Sequence, residues 1–298
     1  MKPVSKLAGM LSGNDFIITA EYLPVSGTET SAVEAAARSF GSRLTAVNAA
    51  DNHYGVALSS LAASVALSKA GIEPVYQMVT RDRNRIALQS DLLGAAFLGI
   101  KNVLCLSGYH QAVIDCPESA NVYDIDSIQL ISLVQKMNGG FFLDGKKIQG
   151  EFAMTVGAAA NPYLKPLGLN IMRLGKKVAA GASFIQTQAV FDIEEFKLWL
   201  GAAVKAGITK KTAILAGVMP LQSAEQAQKL LDTHTDFNIP AGIINRLKAA
   251  GDANAQKKEG VKIAIEIIKS LKGSPGLRGI HILSGGNEAV VPELLAAI

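Results

Sequence analysis

Short apolar runs recur along the chain, and between them apolar residues return at helical spacing of three to four. FIITAEYL (16–23) predicts a strand, followed by a Pro/Gly/Thr loop and a helix that Thr30 or Ser31 would cap, running to about residue 39. RLTAVNA (43–49) precedes a helix over about 56–70 that Gly71 closes, and PVYQMVT (74–80) precedes one over about 83–98 that ends at Gly99. In that third helix Ile86, Leu92, Leu93 and Ala96 are expected to share one buried face. NVLCLSG (102–108) opens the fourth unit, whose helix covers about 126–137 after a connection, 109–123, longer than the ~2–6 residues usual between strand and helix. FAMTVGAA (152–159), SFIQTQAVF (183–191), AILAGVMPL (213–221) and RGIHILSG (278–285) complete eight strands, the last leading into a helix at about 288–297. Eight alternating units without a break in composition predict an α/β fold of one domain over 1–298, a (β/α)8 TIM barrel, in preference to a doubly wound open sheet. A helix over about 256–272 and a turn near Pro240 predict a helical elaboration between strands 7 and 8.

Composition narrows the class of function more than the fold. With 49% hydrophobic residues the chain has ample material for a large core. No window reaches the ~20 apolar residues of a membrane span, and the opening MKPVSKLAGMLSGND is too polar for a signal peptide, so a cytoplasmic location is expected. A formal charge of +4, dispersed along the chain, argues against nucleic acid. The basic clusters at 81–85, 174–177 and 210–211 read as solvated helix ends or as sites for a small anion. Cys105 and Cys116 read as thiols, and His53, His110, His234 and His281 are too scattered for metal-ligand spacing, so no metal site is expected. No P-loop, nucleophile elbow or GxGxxG is present.

In a (β/α)8 barrel the chemistry lies at the carboxyl ends of the strands. Glu21, Asn48 with Asp51 and Asn52, Gln77 with Thr80, Ser107 with Tyr109 and His110, Asn161, Gln186 with Gln188, and Ser284 with Asn287 all fall there. Glu21, inside an otherwise apolar strand, reads either as a general acid whose pKa burial raises or as the partner of a buried cation. Gln186 and Gln188 share a strand face; they and Asn48 suit either recognition of a heterocycle edge or structural hydrogen bonding.

AEYLP around Glu21, AVNAADNHYGVALSSLAAS (46–64), QMVTRDRNRIALQSDLLGAAFLGIKNVLCLSG (77–108), GAAANP (157–162), KKVAAGASFIQTQAVFD (176–192) and AGVMPLQS (216–223) together resemble the methylenetetrahydrofolate reductase family, in particular its short, reductase-domain-only branch of anaerobic bacteria. The resemblance implies a (β/α)8 barrel with a flavin, FAD or FMN, at its mouth, which reduces 5,10-methylenetetrahydrofolate to 5-methyltetrahydrofolate. It implies that Glu21 is the acid that helps open the imidazolidine ring, that Gln188 binds the pterin, and that Lys177 contacts the flavin's phosphate side. Gln77 stands where many members have a flavin-contacting histidine, and Ser107, Ala159 and Asn161 fall in segments beside the flavin. Asn48, Gln186 and Tyr109 are expected to line the folate. The resemblance also implies a homo-oligomer, and as partner an electron-transfer subunit such as short members often have.

Two positions depart from the family pattern. Strand 4 ends Ser107-Gly108-Tyr109-His110 where the family has Gly-Asp, so a tyrosine replaces the aspartate that lies between pterin and flavin. Val25 replaces the second proline of Glu-x-x-Pro-Pro. The substitution at 109 leaves open a flavin-free tetrahydrofolate-binding methyltransferase that exchanges a methyl group with a corrinoid protein, and a non-catalytic folate-binding subunit.

Overall fold

Strands with both faces covered need apolar side chains throughout, which is why the runs of apolar residues, and not alternating ones, became the barrel. The computed structural model describes residues 3–41, 43–233 and 237–298. β1 (Ile17–Tyr22), β2 (Ala46–Ala49), β3 (Pro74–Val79), β4 (Asn102–Leu106), β5 (Thr155–Ala160), β6 (Phe184–Ala189), β7 (Ala213–Val218) and β8 (Leu277–Leu283) are all parallel and close into a barrel in chain order. β8 returns to β1 with Thr19 opposite His281. The expected (β/α)8 TIM barrel is therefore the observed fold.

Two apolar layers hold it. Ile17, Val75, Leu104, Phe184 and Leu215 fill the amino-terminal half of the barrel interior, and Leu7 joins them without any exposed surface. Leu7 belongs to α1 (Lys6–Ser12), a helix capped by Ser5 that lies under the barrel. The backbone N–H groups of Lys6 and Leu7 donate to the Glu73 carboxylate just before β3, and Ser5 Oγ donates to Asn102 Oδ1 at the start of β4. The outer layer packs the strands against α2 (Ser31–Phe40), α3 (Ser60–Lys69), α4 (Arg85–Phe97), α5 (Ser127–Asn138), α6 (Leu167–Ala179) and α7 (Ile193–Lys205), with Phe40, Leu92, Leu130, Phe196 and Trp199 fully buried. Between β7 and β8 the predicted elaboration is three helices, α8 (Ala224–Thr233), α9 (Ala241–Ala249), which starts directly after Pro240, and α10 (Ala253–Leu271). A 3-10 turn at Glu288–Val290 and α11 (Val291–Ala296) end the chain's last unit.

The sequence pattern misplaced some details. α3 begins at residue 60, not near 56, because Ser59 Oγ accepts from Ala62 N and the preceding residues form a loop over the barrel mouth. Thr30 makes no capping bond to α2. On α4 the buried face is Leu88, Leu92 and Ala95, whereas Ile86 lies on another face and is 75% exposed. α1 was not foreseen: seven residues with Leu7, Met10 and Leu11 on one side give too short a period to stand out. His234 lies outside the described residues.

Leu7 seals the amino-terminal end of the barrel core, so Leu7→Ala leaves a cavity that the closed strands cannot collapse. A loss of about 2–5 kcal/mol is expected. Urea unfolding at constant m-value checks it, and a change below experimental error would show that α1 does not seal the core.

Candidate functional site

Alternation along the strands turns every second residue inward, and above the apolar plug those residues become polar. Thr19, Asn48, Gln186 and His281 form one buried layer. Asn48 Nδ2 donates to Gln186 Oε1 at 2.7 Å, and Gln186 Nε2 donates back to Asn48 Oδ1 at 3.1 Å. Gln186 Nε2 also reaches Thr19 Oγ1 at 3.1 Å and His281 Nδ1 at 3.2 Å, while Thr19 Oγ1 and His281 Nδ1 lie 2.9 Å apart. Burial disfavours the imidazolium and pushes the His281 pKa down to about 3, so its ring is neutral. Asn48 and Gln186, expected to line the folate, thus have their carboxamides paired with each other; Asn48 has no exposed surface and acts as support beneath the site.

One step higher, Glu21 is 7% exposed and accepts a 2.9 Å hydrogen bond from Gln77 Nε2. Burial pushes the Glu21 pKa up to about 7 from its ordinary 4.5, against a smaller opposing effect of the Gln77 bond. No cation contacts it among the described residues, so the alternative of a buried ion pair does not hold. Glu21, Gln77, Gln186, Gln188, Ala159 and His281 line a cavity of about 80 Å³. It adjoins a cleft of about 200 Å³ lined by Gln77, Ser107, Gly108, Tyr109 and Gln188, with His53 bordering both. The His53 and Tyr109 rings meet edge to face, centroids 5.5 Å apart.

Gln188, two residues beyond Gln186, lines the same cavity, and at this point β6 departs from regular pairing. The β6–β7 register shifts between Gln186 and Ala189, and Thr187 Oγ1 donates to Gln188 O and accepts from Gly217 N. Gly217 permits the close approach, since a Cβ there would collide with the Thr187 carbonyl. Such irregularities re-aim side chains beside active sites.

Other strand-end residues build the walls. Asp51 accepts from Val79 N and from Arg83, whose guanidinium also holds Asp91. Arg81, 2% exposed, bonds Asp82 and the carbonyls of Tyr109 and Asn52, tying the ends of β2, β3 and β4 together. These two arginines are therefore not solvated helix ends but largely buried, paired members of the rim. Ser284 Oγ donates to the Glu21 carbonyl, and Asn161 Oδ1 accepts from Tyr163 N within its own turn. His110 is exposed and caps a 3-10 turn, Gln111–Val113. The long 109–123 connection folds onto the loop before α3, with Asp115 N donating to Tyr54 O. Lys177 lies behind the cavity, donating to Ala159 O at 2.6 Å without a carboxylate partner among the described residues. Burial and the nearby Arg173 charge lower its pKa to about 8.

The structure thus brings Glu21, Gln77, Gln188 and Ala159 around one cavity, with Ser107 and Tyr109 in the adjoining cleft, and leaves Lys177 and Asn161 outside both. Sequence spacing bears on His53 and His281 only as metal ligands, whereas the alternation GIHIL around His281 carries the signal that its ring faces inward. No cluster of three or more metal-ligating side chains occurs among the described residues. Among those residues no helix is long and apolar enough to cross a membrane.

A family model described as methylenetetrahydrofolate reductase matches residues 6–298. A Caenorhabditis elegans protein named "probable methylenetetrahydrofolate reductase (NADPH)" is 25% identical over 80% of the chain and 34% of its own length. The 5,10-methylenetetrahydrofolate reductase of Escherichia coli K12 is 26% identical over 61% of the chain and 55% of its own length. The chain thus spans about a third to a half of the length of these relatives. A Clostridium thermocellum protein that binds two copies of 5-methyl-5,6,7,8-tetrahydrofolic acid has the same fold, with a TM-score of 0.65, 14% identity and coverage of 96% of this chain and 95% of that one.

Glu21 links stability to pH. Its carboxyl keeps its proton to about pH 7 in the folded chain but only to 4.5 when unfolded, so its contribution is complete below pH 4.5 and lost as pH rises through 7. Relative to Glu21→Gln, wild type should lose on the order of 3 kcal/mol across that window. Denaturant unfolding of both proteins at pH 4.5, 6 and 8 measures this, and parallel curves would rule out a buried, protonated Glu21.

Proposed function

The chain belongs to the methylenetetrahydrofolate reductase family, and from that premise we propose that it reduces the one-carbon bridge of 5,10-methylenetetrahydrofolate to the 5-methyl group, with Glu21 as the acid. The observation that carries this reading is the Glu21 carboxyl itself, buried at the mouth of the barrel with a pKa of about 7 and held by Gln77. A group half protonated at neutral pH both donates and recovers a proton, which a carboxylate at its ordinary pKa does not. Delivered to N10 of the folate, the proton makes that nitrogen a neutral leaving group. The imidazolidine ring then opens to an iminium at N5, the species a bound hydride donor would reduce to the 5-methyl group. Gln188, which lines the same cavity, offers an amide to the pterin edge. The ligand of the Clostridium thermocellum neighbour, a 5-methyl tetrahydrofolate, is of the class this reaction forms.

In the family FAD or FMN supplies the hydride when bound. The residues here do not fit the family's flavin stacked against a pterin: the His53 and Tyr109 rings meet edge to face and border the cleft where the family has an aspartate. The ammonium of Lys177, expected on the phosphate side, is turned onto the Ala159 carbonyl instead. No hydride step is therefore assigned to residues of this chain. Tyr109 favours a second reading, in which the protein binds tetrahydrofolate without flavin and moves a methyl group between N5 and a corrinoid protein. That reaction needs the same proton management by Glu21 and no hydride donor.

Visible absorption of the purified protein with added FAD or FMN, together with tetrahydrofolate binding on the same sample, separates the readings. Flavin bands near stoichiometric occupancy support the reductase; a colourless protein that binds tetrahydrofolate supports methyl transfer; absence of folate binding overturns both. Tyr109→Asp should increase flavin occupancy, and no gain would show that Tyr109 does not obstruct the ring. Glu21→Gln should keep folate affinity within about twofold while turnover falls roughly 10²–10⁴-fold, the usual worth of a positioned acid. Undiminished turnover would remove Glu21 from the mechanism.

A further inference from the structure

The buried polar layer fixes the position of one proton that the proposed mechanism does not use. Gln186 Nε2 has two hydrogens: one goes to Asn48 Oδ1, and the other points between Thr19 Oγ1 and His281 Nδ1. Thr19 Oγ1 receives a share of that hydrogen and has only His281 Nδ1, 2.9 Å away, toward which to turn its own. With the Gln186 amide nitrogen on this side of its pair with Asn48, Nδ1 faces two donors and accepts. A neutral imidazole that accepts at Nδ1 carries its proton on Nε2. Among the described residues no side chain or carbonyl accepts from Nε2, and His281 lines the about 80 Å³ cavity shared with Glu21, Gln77 and Gln188.

We propose that His281 is a specificity-determining residue whose Nε2–H, presented at the floor of the cavity, recognises the 4-oxo oxygen of a reduced pterin. The assignment rests on the folate reading above and deepens it. Along the pterin ring the 2-amino group, N3 and N8 are donors, which a fixed N–H donor at the floor repels, and the acceptors are N1 and the 4-oxo oxygen, of which N1 lies on the edge away from the one-carbon unit. The 4-oxo oxygen is an acceptor and adjoins N5, the atom that bears the one-carbon unit. Seating it on His281 therefore brings the reacting bridge toward Glu21, on the wall of the same cavity. The donor is held from below by Thr19 and by the Asn48–Gln186 amide pair, which makes it a rigid discriminator.

The test compares 5-methyltetrahydrofolate with the tetrahydrofolate analogue whose 4-oxo group is replaced by 4-amino, measured by calorimetry on the full chain. In wild type the amino group sets donor against donor, and the analogue should bind about tenfold or more weakly. His281→Asn keeps an acceptor oxygen near the place of Nδ1, preserving the bonds to Thr19 and Gln186, but places nothing at Nε2; its preference for the 4-oxo ligand should fall to within about twofold. His281→Gln, whose amide nitrogen reaches the place of Nε2, should restore the preference. An undiminished preference in His281→Asn overturns the proposal, as does an equal loss of affinity for both ligands, which marks a purely structural histidine. If His281→Asn does not fold, the wild-type comparison still decides, since equal affinities for the two ligands overturn the assignment. Failure of wild type to bind 5-methyltetrahydrofolate at all overturns the folate reading itself, and this inference with it.

Discussion

A carboxyl group keeps its proton at neutral pH only where water is withheld and no cation stands near, and the upper half of the barrel is organised around meeting both conditions at Glu21. Below it, the amide pair of Asn48 and Gln186, with Thr19 and His281, closes its hydrogen bonds internally and offers the carboxyl no charge. Beside it, Gln77 donates a single neutral bond that fixes the carboxyl's position and only partly offsets desolvation. The nearby arginines are kept away by their own carboxylates, Arg83 by Asp51 and Asp91, Arg81 by Asp82. Segregation of the charges, rather than any single contact, gives the acid its character.

The same ion pairs shape the mouth. Arg81 and Arg83 are buried, and removing a partner from a buried pair is far costlier than forming the pair is favourable. They join the ends of β2, β3 and β4 into a rim on which Tyr109 and His53 are mounted. The rim explains why the substitution of tyrosine at 109 weighs on the choice of cofactor. Its backbone carbonyl is held by Arg81, so a ring at this position is bound to border the cleft.

Much of the fold was legible because a barrel strand buried on both faces leaves an unbroken apolar run, and all eight runs were visible. The acid was legible for the complementary reason: Glu21 interrupts such a run, and only a function or an ion pair sustains that. Less could be read where a residue's role depends on a partner distant in sequence. Nothing local shows that Gln186, which lines the cavity beside Gln188, has its amide committed to Asn48, a partner 138 positions away. Arg81 and Arg83 looked like surface charge for the same reason, their carbonyl and carboxylate partners lying up to 32 positions away. The short α1 escaped notice because its period is too brief to be read, and its reason for existing is a hole at the bottom of a barrel that the linear pattern does not contain.

That helix also sets an order of assembly. Residues 5–7 touch the starts of β3 and β4, Leu7 packs with side chains from as far along as Leu215, and Arg278 reaches back to the carbonyls of Met10 and Gly13. The partners of α1 thus include a residue 268 positions further along, and α1 gains its full set of contacts only once β8 is in place. α1 acts as a latch on the closure between β8 and β1, so a helix that precedes every strand in sequence waits for the last strand of the barrel before its native neighbours are complete.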